Sequence, residues 1–138
     1  MANKASDILK LKKLSITKAR VHILDTFIHN HRPLSIIELK KQKELKDFNE
    51  SSLYRNLTKL VDADILRVVP SINEFQHYEL IPIGIKHHHH HIICSVCEKI
   101  QCLSVCMIDS VMEKMTKDSG FKVSGHSLEI YGLCSSCQ

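Results

Sequence analysis

At 138 residues and 15.8 kDa, 43% hydrophobic and 25% charged, the chain has the size and composition of one folded domain or two very small ones, which excludes a disordered chain. No apolar run approaches the roughly 18 residues a membrane span requires, and no signal-like segment opens the sequence, so a soluble, cytoplasmic protein is expected. The net charge of +4 falls in residues 1–80, with 14 Lys/Arg against 10 Asp/Glu, while residues 81–138 carry 5 of each; so mild a bias fits a solvated surface before it fits nucleic acid.

Ser6-Asp-Ile-Leu-Lys-Leu-Lys-Lys-Leu14 predicts a short basic helix with Ser6 as its N-cap. Thr17 caps a second helix with the apolar stripe Val21, Ile23, Leu24, Phe27 and Ile28, which His29-Asn-His-Arg-Pro33 ends. Ser35-Ile-Ile-Glu38 fits a capping box, whose two side chains satisfy free backbone donors at a helix start; the third helix follows over about 36–45. Asn49-Glu-Ser-Ser52 offers caps for a fourth. There Leu53, Leu57, Leu60 and Val61 share a buried face, Ser52, Arg55, Lys59 and Asp62 project elsewhere, and Tyr54 and Thr58 lie at the flank. The period then changes to that of strands, 65–69 and 75–80, around a turn at Pro70-Ser-Ile-Asn73. Helices followed by a β-hairpin outline a winged helix-turn-helix over residues 1–80.

Ile81-Pro-Ile-Gly-Ile-Lys86 is the expected hinge, with a second domain over 87–138. Its predicted elements are strands at His87–Cys94 and Ile100–Leu103, a helix from Met107 to Lys117, and an alternating strand from Phe121 to Tyr131. The fold class expected is α+β.

All six cysteines lie in the last third of the chain. Cys94-Ser-Val-Cys97 and Cys134-Ser-Ser-Cys137 are two C-x-x-C knuckles, and four thiolates satisfy tetrahedral zinc. Such a site is closed and therefore structural, and its 36-residue gap ties the C-terminus back to the opening strand. The run His87–His91 leads directly into Ile-Ile-Cys94; on a strand, His89 and His91 face one side and His88 and His90 the other, so one stretch can feed two metal sites. Cys102 and Cys106 are left over, either as ligands or as small buried hydrophobes.

Enzyme signatures are missing. His77-Tyr-Glu79 matches the H-x-E of zinc deaminases, but Ile93 rather than Pro precedes Cys94 and only 14 residues separate Glu79 from it. There is no phosphate loop, nucleophile elbow or H-E-x-x-H, so no catalytic residues are expected.

In order, Thr17-Lys-Ala-Arg20, Ile23-Leu24, Ser51-Ser-Leu-Tyr-Arg-Asn-Leu57, the His run into Cys94-Ser-Val-Cys97, Gly120-Phe-Lys-Val and His126-Ser-Leu-Glu-Ile-Tyr-Gly-Leu-Cys134-Ser-Ser-Cys137 span nearly the whole chain. This series resembles the ferric uptake regulator (Fur) family of metal-sensing bacterial repressors. The resemblance implies an N-terminal winged helix-turn-helix DNA-binding domain and a small C-terminal α/β dimerisation domain with a four-cysteine zinc site. It further implies a homodimer that binds A/T-rich inverted repeats in double-stranded DNA when loaded with metal. Tyr54 and Arg55 would contact base and phosphate, with Ser52 and Lys59 on the same helix and Arg20, Lys12 and Lys13 adding backbone contacts. The implied regulatory metal ligands are Glu79, His89, His91 and Cys102, and those of an additional site His88, His90, Asp109 and His126.

This chain departs from the family pattern. Position 102, usually a carboxylate in iron and peroxide sensors, is Cys, and a thiolate favours zinc over Fe2+, Mn2+ or Ni2+. The histidine that many members place after the second helix has no clear match; Pro33 stands in that column, with His31 nearby. The connector from Glu79 to His89 is longer than in typical iron regulators and closer to zinc regulators. Asp64 and Glu98 stand where glycine is common, which predicts strained turns. A zinc-responsive repressor is the expectation. Its alternatives are an iron, nickel or peroxide sensor of the same family, a zinc-stapled protein-interaction module, or a thiol switch built on Cys102 and Cys106.

Overall fold

The computed structural model describes residues 4–69, 75–82, 90–103 and 105–138, the side chain of Asp109 excepted. The chain divides between residues 83 and 84 into two compact units. The fold is α+β.

The N-terminal unit contains α1 (Lys4–Leu11), α2 (Lys18–Asn30), β1 (Leu34–Ser35), α3 (Ile36–Lys40), α4 (Glu50–Asp62), β2 (Leu66–Val69) and β3 (His77–Leu80). Its antiparallel sheet has the order β1-β3-β2, with Leu34 paired to Tyr78 and Leu66 to Leu80. Local signals start the helices where they were read. Thr17 Oγ1 accepts from the Arg20 N–H, Asn49 Oδ1 accepts from the Ser52 N–H at 2.7 Å, and both halves of the Ser35/Glu38 capping box are present. Leu53, Leu57 and Leu60 of α4 are fully buried, sharing one core with Leu24 and Phe27 of α2, Leu39 of α3 and Ile8 and Leu9 of α1.

Three details differ from expectation. Ser6 lies inside α1 rather than capping it, because buried Ala5 extends the helix backwards. The third helix stops at Lys40 and gives way to tighter turns closed by Gln42 N–H to Leu39 O and Leu45 N–H to Gln42 O. The strand β1 is only two residues long, too short for any periodic signal, and owes its form to pairing with β3.

Both α1 and α4 end in a Schellman motif. Lys13 (φ 57°) and Asp64 (φ 53°) take the left-handed position, and the next residue's N–H reaches back five residues, Leu14 to Leu9 and Ile65 to Leu60. Glu98 (φ 63°) is also left-handed, in the turn closed by its N–H to Cys94 O. Both positions expected to prefer glycine therefore adopt the backbone that makes glycine preferable.

The C-terminal unit consists of β4 (His90–Cys94), β5 (Ile100–Leu103), α5 (Ile108–Thr116) and β6 (Glu129–Gly132). Its sheet order is β5-β4-β6, antiparallel between β4 and β5 and parallel between β4 and β6. The strand expected from Phe121 is confined to its last residues; 121–128 is irregular, with Phe121 exposed and His126 turned to a side-chain cluster. Among the described residues of this unit few apolar side chains are buried, Ile93 and Cys94 among them, whereas Val111, Met115, Ile130 and Tyr131 are exposed.

Candidate functional site

Four sulfurs converge at the end of the β4–β6 ladder. Parallel pairing sets Cys94 opposite Gly132, and the Ser95 N–H donates to Gly132 O at 2.8 Å, which brings the two knuckles together across the 36-residue gap. The sulfurs of Cys94, Cys97, Cys134 and Cys137 all lie within 4.8 Å of one another, and those of Cys97 and Cys134 are 3.5 Å apart. This donor set fits tetrahedral zinc. The N–H groups of Cys134, Cys97 and Val96 point at Cys94 and hold its thiol down at about 6, so it is ionised at neutral pH. The neighbouring Cys134 and Cys97 sulfurs push Cys137 up to about 12. A metal ion at these four sulfurs would have to displace the thiol protons that remain.

The histidine strand feeds different surroundings on its two faces. His91 is the cross-strand partner of Cys102, while the adjacent His90 points the other way. The His90 Nε2 lies 3.1 Å from Cys106 Sγ and 3.1 Å from His126 Nε2, and the last two atoms are 3.3 Å apart. The two imidazoles stack with centroids 5.0 Å apart. Thus His90 and His126, both in the additional set, do meet, and Cys106 joins them. His88 and His89 fall outside the described residues, as does the Asp109 side chain. In the N-terminal unit, Glu79 is buried on β3 and ion-paired with Arg67, its neighbour across the β2–β3 ladder. Sequence reasoning left Cys106 open between ligand and core because its partners are 16 and 20 residues away, on no common element.

The outer face of α4 carries exposed Tyr54, Arg55, Thr58 and Lys59, with Ser52 half-buried near its start. Tyr54/Thr58 and Arg55/Lys59 are each four residues apart and form one continuous polar strip opposite the leucines. Lys12 and Lys13 follow α1, with Lys13 exposed. Arg20, expected to add a DNA-backbone contact, is also tied into the fold. It is buried, its Nη1 donating to Ser15 O at 2.8 Å and to Ser15 Oγ, its Nε donating to Asn56 Oδ1 at 3.1 Å. A guanidinium so engaged holds the start of α2 to α4. Among the described residues no helix is long and apolar enough to cross a membrane.

A family model, the ferric uptake regulator family, matches residues 12–131. The chain is 31% identical over 134 residues to the ferric uptake regulation protein of Campylobacter jejuni, covering 94% of this chain and 83% of that protein. Among solved structures it is similar to the iron-bound ferric uptake regulator of Francisella tularensis, at 29% identity and a TM-score of 0.77 over 90% of this chain and 94% of that one. A similar Helicobacter pylori Fur structure, described as revealing three functional metal binding sites, gives 26% identity and 0.78 over 96% and 87%.

Proposed function

Because the chain belongs to the ferric uptake regulator family, a family of transcriptional regulators, we propose that it is a cytoplasmic, homodimeric, metal-dependent repressor of metal-homeostasis genes and not an enzyme. The observation that carries the DNA-binding part is the exposed Tyr54-Arg55-Lys59 strip on the second helix of a helix-turn-helix, backed by three buried leucines. In this reading Tyr54, Arg55, Ser52 and Lys59 meet an A/T-rich inverted repeat, and Lys12 and Lys13 bind phosphates. Exposed Val111 and Met115, four residues apart on α5, support a dimer through the C-terminal unit, as do Ile130 and Tyr131 on β6, since exposed apolar surface marks association.

Structural zinc is assigned to the four cysteines. The regulatory ligands are Glu79, His89, His91 and Cys102, and the additional ones His88, His90, Asp109 and His126, a partition in keeping with the three functional metal binding sites named for the Helicobacter pylori relative. Thiolate at position 102 favours zinc as the signal over iron, manganese or nickel. Metal bound at the regulatory site stabilises the DNA-competent arrangement of the dimer, which couples occupancy to affinity. Iron is the second reading, favoured by the ferric uptake names of the relatives near 30% identity.

The test is retention of fragmented genomic DNA by the untagged protein, with zinc, with iron, and then under mild chelation. Zinc-dependent enrichment of an A/T-rich inverted repeat near transport genes is the expected result. Enrichment with iron alone selects the second reading. No retention by a folded dimer with any divalent metal overturns the repressor.

A further inference from the structure

The geometry points to a metal centre in the C-terminal unit in which the Cys106 thiolate is a ligand beside the imidazoles of His90 and His126. This triad deepens the additional site proposed above by adding Cys106 to His90 and His126, and the presence of sulfur makes it a zinc-type rather than an iron- or manganese-type site.

Three segments supply the donors: the first residue of β4, the link between β5 and α5, and the irregular stretch before β6. Their donor atoms form a nearly equilateral triangle with edges of 3.1, 3.1 and 3.3 Å. A tetrahedron built on zinc bonds to nitrogen and sulfur has edges of roughly 3.3–3.6 Å, so an ion just off the plane of the three atoms meets all of them at bonding distance. Hydrogen bonding alone does not explain the triangle. An imidazole Nε2 carries one proton or one lone pair along the ring bisector and serves one neighbour well, whereas here each of the three atoms faces both others. His90 is 3% exposed, so the cluster is shielded from water on the strand side.

Strand alternation separates this thiol from the other unassigned one. Cys102 pairs with His91, on the opposite face of β4 from His90. The two cysteines therefore belong to different surroundings, which removes the structural basis for a Cys102–Cys106 dithiol switch. The inference rests on C-terminal residues alone and stands whether or not the chain represses transcription.

The experiment uses the full chain in a Cys102→Ser background, where Cys106 is the one thiol outside the four-cysteine cluster. With that cluster filled by zinc, confirmed as one retained equivalent per chain, Co(II) is titrated and absorption followed. The expected result is a near-ultraviolet thiolate-to-cobalt charge-transfer band, lost on adding Cys106→Ser or His126→Ala. Each loss is accompanied by a fall in affinity of at least the ~10–100-fold typical of outer-shell changes. Cys106→Asp should restore binding without the band, which separates a lost ligand from a lost fold. A band absent from the parent, or surviving Cys106→Ser, overturns the proposal. So does metal affinity that falls with Asp109→Asn but not with Cys106→Ser.

Discussion

In the proposed reading Tyr54 and Lys12 make two kinds of DNA contact, which experiment should separate. Tyr54→Phe deletes a hydroxyl able to meet a base edge and should weaken the inverted repeat by about 1–3 kcal/mol while sparing random DNA. Lys12→Ala should weaken both alike and lower the salt slope by about 1. Equal losses on specific and random duplexes for Tyr54→Phe, measured by fluorescence anisotropy, would refute that division. Glu98 presents a different single-residue question. At φ 63° it holds a conformation that strains a side chain, so Glu98→Gly should stabilise the zinc-loaded protein by about 1 kcal/mol in a denaturant titration. Glycine-like positions were legible at Glu98 and Asp64; the tie from Arg20 to Asn56 was not, because its partner lies 36 residues away.

The helices of the N-terminal unit rest on interactions that connect one element to another. Arg20 joins α2 to α4 through Asn56. Arg20→Ala leaves Asn56 and the Ser15 carbonyl short of a donor and should cost about 1–3 kcal/mol of stability. It should weaken DNA binding by misplacing α4, and an unchanged melting temperature would show that the tie contributes nothing. At the start of α3, burial on its own would raise the Glu38 carboxyl, but the Ser35 N–H and Arg32 guanidinium outweigh it and hold the pKa below its ordinary value. A lowered folded-state pKa gives stability that is present above the unfolded pKa and is lost as pH falls through the folded one. Glu38→Gln should therefore destabilise by about 0.5–1 kcal/mol at pH 7 and make no difference at a pH below the folded-state pKa, where the carboxyl is protonated. Parallel urea titrations at the two pH values check this.

Across the whole molecule, stability is divided unequally. Among the described residues the continuous buried cluster belongs to the N-terminal unit, whereas the C-terminal unit has a three-stranded sheet, one helix and much exposed apolar surface. So small a unit needs a staple, and a zinc ion held by the four cysteines would contribute on the order of 10 kcal/mol. Removing zinc by strong chelation, or making Cys134→Ser, should unfold the C-terminal unit and dissociate the dimer while the N-terminal helices persist. Far-UV circular dichroism with sedimentation distinguishes this from a single cooperative loss of both units. A single transition would mean that the winged helix depends on its neighbour.

The sequence by itself determined the features that are local or periodic. Helix caps at Thr17, Ser35 and Asn49 work through neighbours three residues away, the leucine stripe of α4 follows helical period, and C-x-x-C spacing announces a metal knuckle before any fold is known. Tertiary structure alone decided what depends on partners distant in the chain. Arg20 is a brace because Asn56, 36 residues on, accepts its Nε–H. The stretch before Glu129 is not a strand, since His126 is drawn towards His90, again 36 residues away. Cys106 meets two imidazoles only because β4, the β5–α5 link and the approach to β6 converge. Convergence of this kind follows from strand pairing and chain closure, which leave no periodic mark on the residues they bring together.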